Sequence, residues 1–118
     1  MIQIPHLTFI HGWACCPSDF SCQQAFFSQY PSLSPDYSTP LRTLQGETDV
    51  FLWCADFLDR IITQTTNGRP TVLIAHSLGG LLSLILIAKH NINIVGCIII
   101  DSTLDISPSK IKQYQYIC

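Results

Sequence analysis

A serine within a short run of small residues is the strongest sign of chemistry in this 118-residue chain. Residues 75–80 read Ala-His-Ser-Leu-Gly-Gly, and the serine is Ser77. The apolar run 71–74 precedes them and an apolar stretch follows, which predicts a strand, a tight turn and a helix. This pattern is the G-x-S-x-G nucleophile elbow with Ala75 at the first glycine position. An ordinary strand-to-helix connection that contains Ser and Gly is the alternative.

A second turn stands where an oxyanion hole needs one. Residues 7–10 form another short apolar strand, which ends in His11, Gly12 and Trp13. In hydrolases with this elbow, one oxyanion N–H belongs to the residue after the nucleophile and the other follows an earlier strand. Leu78 and Trp13 occupy those two places. Taken alone, the second turn would be a strand end with an aromatic plug, but paired with the elbow it predicts a functional turn.

With these two motifs the chain resembles the α/β-hydrolase superfamily over approximately residues 6–105. Within it, the sequence is similar to the carboxylesterases of biotin synthesis, which cleave pimeloyl-carrier-protein methyl ester. The resemblance implies that Ser77 is the nucleophile and that Leu78 and Trp13 are the oxyanion donors. It implies a small ester, or one linked to an acyl carrier protein, as substrate. The family's Asp-x-Pro-Gly-x-Gly-x-Ser segment has no clean match, although residues 44–48 stand roughly where it would be.

The acid and the base of a catalytic triad are harder to place than the nucleophile. In this fold the acid and then the histidine follow the serine along the chain. His90 is the one histidine after Ser77, and about 13 helical residues would carry it ~20 Å away. His11 borders the site, where the resemblance implies a structural role. Asp101 follows the apolar run 95–100 and is a candidate acid, although an Asp that caps a strand end is the commoner explanation.

The remaining pattern predicts one incomplete α/β domain with three to four mostly parallel strands and flanking helices. Apolar residues at helical spacing over 49–65 predict an amphipathic helix. A first helix is expected over 20–30, and the segment 32–43 is either a loop or a weak edge strand. The continuous apolar run 95–100 predicts a strand that is buried on both faces.

The domain organisation follows from length, because single large α/β domains commonly run ~200 to 250 residues. We expect residues 1–106 to form the N-terminal part of an α/β-hydrolase domain that lacks the C-terminal strands. Residues 107–118 have no family counterpart, so we expect a tail foreign to the fold, with a natural C-terminal tail as the alternative. A truncated sheet would expose a strand edge, through which the chain could associate with itself.

Composition argues against several other classes. The net charge is −2 and the six Lys and Arg are not clustered, which argues against nucleic acid. The apolar stretch 78–88 is too short to span a bilayer, and the N-terminus lacks the plan of a secretory signal. We therefore expect a cytoplasmic protein without a membrane partner. The six cysteines have no metal-ligand spacing, so we expect no metal and no cofactor, and Cys54 and Cys97 fall on predicted core faces.

Two functions remain open at this point. The first is hydrolysis of a carboxylic ester through an acyl-enzyme on Ser77, in a chain that lacks the catalytic histidine. The second is a catalytically inactive fragment or pseudoenzyme that acts only with a complementing chain, or not at all.

Overall fold

The computed structural model describes residues 3–43 and 49–102 of the chain. The first half contains strand β1 (His6–Ile10), a 3₁₀ helix (Pro17–Phe20), helix α1 (Ser21–Phe26), strand β2 (Ser32–Leu33) and helix α2 (Ser38–Thr43). The second half contains helix α3 (Val50–Thr66), strand β3 (Thr71–His76), helix α4 (Leu78–Lys89) and strand β4 (Ile94–Ile100).

The four described strands form one parallel sheet in the order β2-β1-β3-β4. Strand β1 pairs with β3 from His6 opposite Thr71 to Ile10 opposite Ala75. The carboxyl ends of parallel strands meet at one edge of the sheet. The chain adds β2 on one side of β1 and then β3 on its other side, so the direction in which strands are added reverses at β1. Ligands of open α/β sheets bind at such a reversal. The predicted α/β fold is confirmed.

The core lies mainly between this sheet and helices α3 and α4. Leu73 and Ala75 of β3 are fully buried, as are Leu58 of α3 and Leu82 of α4. The helical spacing seen over 49–65 therefore does mark the face that α3 packs against the sheet. On the other face, Phe9 contacts Phe20 with ring centroids 5.1 Å apart.

The segment between residues 32 and 43 matches the expected weak edge strand only in part, because a helix that neither expectation included follows the strand. It contains a strand of two residues and then helix α2. Pro40 lies in the first turn of α2, where a missing N–H costs no helical hydrogen bond. The Asp36 carboxylate accepts hydrogen bonds from the N–H and hydroxyl of Ser38, which begins the helix. Helix α1 is also shorter than expected, because it ends at Phe26.

Strand β4 lies at the expected place, but the expectation that both of its faces are buried is wrong. Val95 is 58% exposed, Ile98 55% and Ile100 45%. Among the described strands only β3 pairs with β4, and helix α4 covers one face of the sheet there. The segment 44–48 and the tail 107–118, with the boundary at residue 106, lie outside the described residues.

Two further features bear on the classes of protein considered above. In the described ranges, no helix is both long and apolar enough to cross a membrane. Residues 3–43 and 49–102 also contain no cluster of His, Cys, Asp and Glu that could hold a metal ion. Burial raises the pKa of Cys54 to about 12 and also raises that of Cys97, so both thiols are protonated and unreactive near neutral pH.

Candidate active site

Ser77 forms the turn between the end of β3 and the start of α4. Its backbone has φ 54° and ψ −121°, a region that residues with a side chain rarely occupy. Such a conformation costs ~1 to 3 kcal/mol and persists only where the surrounding structure enforces it. The strained serine at a strand-to-helix turn is the geometry of a nucleophile elbow.

The glycines after the serine allow α4 to approach the ends of β1 and β4. A Cβ on Gly79 would overlap the carbonyl oxygen of Ile10 and would lie 2.7 Å from that of His11. A Cβ on Gly80 would lie 2.6 Å from Ser102 Oγ. Gly79 is therefore required by close contact with the backbone of β1, whereas Gly80 leaves room for the side chain of Ser102.

The turn after β1 lies directly against the elbow. A Cβ on Gly12 would be 2.8 Å from His76 Nδ1 and 3.0 Å from Ser77 Cβ. The Cys15 N–H donates to the Gly12 carbonyl over 3.3 Å and closes the turn. Trp13, which follows Gly12, packs its ring edge-on against Phe51 of α3 with centroids 6.3 Å apart. The structure thus brings the turn that carries Trp13 to Ser77 and Leu78.

The buried side chain of His11 stabilises this turn. Its ring is buried, stacks on Tyr37 with centroids 4.3 Å apart, and donates from Nδ1 to the Gly12 carbonyl over 2.9 Å. The Tyr37 hydroxyl donates to the His11 carbonyl over 2.6 Å. Nε2 of His11 lies 3.4 Å from the Asp36 carboxylate. The hydroxyl of Ser38, then its N–H, and then the nearby His11 hold the pKa of Asp36 below its usual range.

A sequence model of the alpha/beta hydrolase family matches residues 9–114. The chain belongs to the alpha/beta hydrolase family. Among solved structures, the chain is similar to MenH from S. aureus with a TM-score of 0.65 and 19% identity, over 87% of this chain and 40% of that chain. At that identity the likeness shows the fold alone. No curated protein matches the sequence.

The family predicted from the two motifs is therefore confirmed, whereas specificity for the biotin-synthesis ester stays a prediction. The chain spans less than half of the MenH structure that it resembles. Asp101 lies at the carboxyl end of β4, near the elbow, with φ 47° and an exposed side chain. Its role as the acid of a catalytic triad stays a prediction.

The four histidines of this alpha/beta hydrolase occupy different parts of the fold. His6 begins β1 at the far end of the sheet, and His11 is engaged with the turn. His90 follows α4 and lies between Asp56 at 3.1 Å and Asp59 at 3.5 Å. His76 precedes the serine and borders Gly12. Within the described residues, no hydrogen bond joins an imidazole to the Ser77 hydroxyl.

A cleft of about 320 Å³ opens beside the turn and the elbow. It is lined by His11, Gly12, Cys15, Asp19, Phe20, Gln23, His76 and Ile100. This volume is at the lower end of the range for small-molecule sites. The backbone N–H of Cys16 holds the pKa of Asp19 below its usual range, while burial and the neighbouring Asp19 raise that of Cys15. Asp19 thus supplies a negative charge to the cleft and Cys15 a neutral thiol.

Among the residues that sequence reasoning missed, Ser102 is the one that contacts the elbow directly. Its hydroxyl donates to the Ser77 carbonyl over 2.5 Å. Ser102 stands 25 positions from Ser77 in a segment without a recognisable motif. Only the glycine at position 80, which leaves room for the hydroxyl, is a sequence signal that could have pointed to it.

Proposed function

We propose that this alpha/beta hydrolase is a serine hydrolase of the carboxylesterase type, in which Ser77 forms the acyl-enzyme. The observation that carries the proposal is the strained backbone of Ser77 at the β3–α4 turn, with the Gly12 turn packed against it. Strain of this kind is retained where function requires it. The family membership supports a hydrolase, and the cleft beside the elbow supports a small substrate.

In the proposed reaction, Ser77 Oγ attacks the carbonyl carbon of the ester and loses its proton to a base. The tetrahedral intermediate then expels the alcohol, which takes up that proton, and water hydrolyses the acyl-enzyme to the carboxylic acid and free Ser77. The N–H groups of Leu78 and Trp13 hold the negative oxygen, and each such donor contributes ~3 kcal/mol. Leu78 is the first residue of α4, so its N–H has no acceptor within the helix and is directed outward.

The substrate class follows from the sequence resemblance and is part of the proposal. It is a small carboxylic ester or an ester carried by an acyl carrier protein, as in the carboxylesterases of biotin synthesis. The cleft adjoins the elbow through Gly12 and His76 rather than through Ser77 itself, and Phe20 and Ile100 give it apolar walls that suit an acyl group of modest size. The cytoplasmic location expected from the sequence stays a prediction.

A second candidate is a protein that is inactive by itself and acts only with a complementing chain, or not at all. It is favoured by the absence, within residues 3–43 and 49–102, of a hydrogen bond between an imidazole and Ser77. An oxyanion hole without a base retains ~10³ to 10⁴-fold of catalysis over water in well-studied triad enzymes. The two candidates therefore differ in rate rather than in the identity of the reacting residue.

Labelling with a fluorophosphonate probe and hydrolysis of p-nitrophenyl acetate test both candidates. We expect slow labelling of Ser77, located by mass spectrometry of the labelled peptide, and its loss in Ser77→Ala. Ser83→Ala is the matched control, because Ser83 is a buried serine of α4 that donates to the Gly79 carbonyl. Hydrolysis at the same rate in Ser77→Ala would refute the proposed nucleophile. A fast turnover that depends on Ser77 at neutral pH would refute the second candidate.

A further inference from the structure

The peptide group that joins Ser77 to Leu78 is held by two hydrogen bonds to its carbonyl. The Ser77 carbonyl accepts from the Gly80 N–H over 2.9 Å and from the Ser102 hydroxyl over 2.5 Å. A peptide group is planar, and in the trans form its C=O and N–H point in opposite directions. Any contact that fixes the Ser77 oxygen therefore also fixes the direction of the Leu78 N–H.

Ser102 reaches this carbonyl because the chain after β4 turns back toward the elbow. The Ser77 N–H donates to the Ile100 carbonyl over 3.0 Å, which docks the end of β4 on the turn. Asp101 then adopts a left-handed conformation with φ 47°. The hydroxyl of Ser102 occupies the space that a side chain at Gly80 would need. The end of β4 and the residue two positions after it thus contact both the N–H and the carbonyl of the strained serine.

We propose that Ser102 is a positioning residue that aims the Leu78 N–H at the oxyanion. The proposal rests on the proposed function, since it assigns Ser102 a part in the same site. Ser77 is strained, so loss of the hydroxyl lets the 77–78 peptide group rotate toward a more relaxed geometry. A displacement of about 1 Å at a reacting group costs up to ~100-fold in rate. A hydrogen bond to the carbonyl also polarises the peptide group, which makes its N–H a stronger donor.

The test measures the rate constant for phosphonylation of Ser77 by a fluorophosphonate in the full chain. We expect Ser102→Ala to lower this rate ~10- to 100-fold at temperatures well below unfolding. Ser102→Thr, which keeps the hydroxyl, should restore most of the rate. Ser83→Ala is the control, because it removes the same kind of bond from the carbonyl of Gly79, two residues after Ser77, and should keep the wild-type rate.

A second readout is the amide proton shift of Leu78 by NMR, which does not depend on catalysis. We expect this resonance to move in Ser102→Ala and to stay in place in Ser83→Ala. An unchanged labelling rate in folded Ser102→Ala would overturn the proposal, as would an equal loss in Ser83→Ala. If Ser102→Ala does not fold, Ser102→Cys replaces it, and a wild-type rate with this weaker donor would overturn the proposal.

Failure of the proposed function is separable from failure of this inference. A wild-type chain that is never labelled at Ser77 would refute the nucleophile. The Leu78 resonance would still decide the positioning role, since an identical shift in wild type and Ser102→Ala would overturn it.

Discussion

Gly79 is the single residue at which the site has least room. The atoms that a side chain would meet there are backbone oxygens at the end of β1, which cannot rotate away as a side chain can. Glycine is therefore required at position 79 because the backbone of α4 lies against the backbone at the end of β1. The neighbouring Gly80 differs, because it makes room for a hydroxyl.

Gly79→Ala should therefore destabilise the fold by ~1 to 3 kcal/mol, the usual cost of overpacking. Its Cβ would collide with the carbonyl groups of Ile10 and His11. Gly96→Ala is the matched control, because its nearest neighbours are methyl groups of Val72 at 3.7 Å, an ordinary contact. Urea unfolding followed by circular dichroism measures both. Equal midpoints for the two variants would contradict the close approach of α4 to β1.

Asp36 should make the stability of the turn depend on pH. Its pKa is lowered in the folded protein, so its contribution is present above the ordinary Asp value of ~3.9 and is lost as pH falls through the lower folded value. We expect Asp36→Asn to be less stable than wild type at pH 7. The difference should shrink progressively below about pH 4. A difference in unfolding midpoint that stays constant from neutral to strongly acidic pH would refute this origin.

Helices α3 and α4 share core contacts and are also linked by a histidine at the end of α4. His90, at the end of α4, faces two carboxylates of α3, those of Asp56 and Asp59. Both carboxylates are partly exposed to solvent, so solvent weakens the attraction. The contact ties the end of α4 that lies away from Ser77.

His90→Ala should lower stability by less than about 1 kcal/mol, as expected of a solvent-screened contact. It should leave the phosphonylation rate of Ser77 unchanged, because a helix of 12 residues separates the two positions. His90→Gln is the control, since it keeps a donor at that site. Urea midpoints and probe labelling measure the two effects. A large loss of labelling would identify His90 as the base that the sequence argument excludes.

The elements that the sequence predicted correctly are those whose signal is local. The elbow is read from a serine between an apolar strand and a helix, and α3 from its own periodicity. The solvent exposure of β4 could not be predicted from the sequence. An apolar run shows that a strand is able to be buried, but not which neighbouring elements cover it. Helix α2 was missed because Pro40 acts as a breaker inside a helix but not in its first turn. Ser102 was missed because its partner is distant in sequence.

At the scale of the whole molecule, the outer edge of β4 pairs with no other described strand and exposes apolar side chains. Strand β4 contains no charged residue and exposes Val95, Ile98 and Ile100. Helix α4 adds exposed Ile87 beside it. Natural sheets protect their edges with charges, prolines or covering segments. The described residues supply none of these devices at this edge.

We therefore expect the chain to associate through β4, and Ile98→Lys to weaken that association by placing a charge at the edge. Leu52→Lys is the matched control, because Leu52 is an exposed apolar residue of α3. Gel filtration with light scattering over a range of protein concentrations measures the effect. A wild-type chain that stays a monodisperse monomer and unfolds in one sharp transition would contradict the prediction.

The pairing of β1 with β3 has a consequence in time. The hydroxyl groups of Thr8 and Thr71 meet in the centre of the sheet although they stand 63 positions apart. Because the ribosome adds about 5 to 20 residues per second, roughly 3 to 13 seconds pass between the synthesis of Thr8 in β1 and that of Thr71 in β3. During that interval the apolar residues of β1 have only the two-residue strand β2 to pair with. We therefore expect the apolar residues of β1 to stay accessible to chaperones until β3, and Ser77 just after it, have been made.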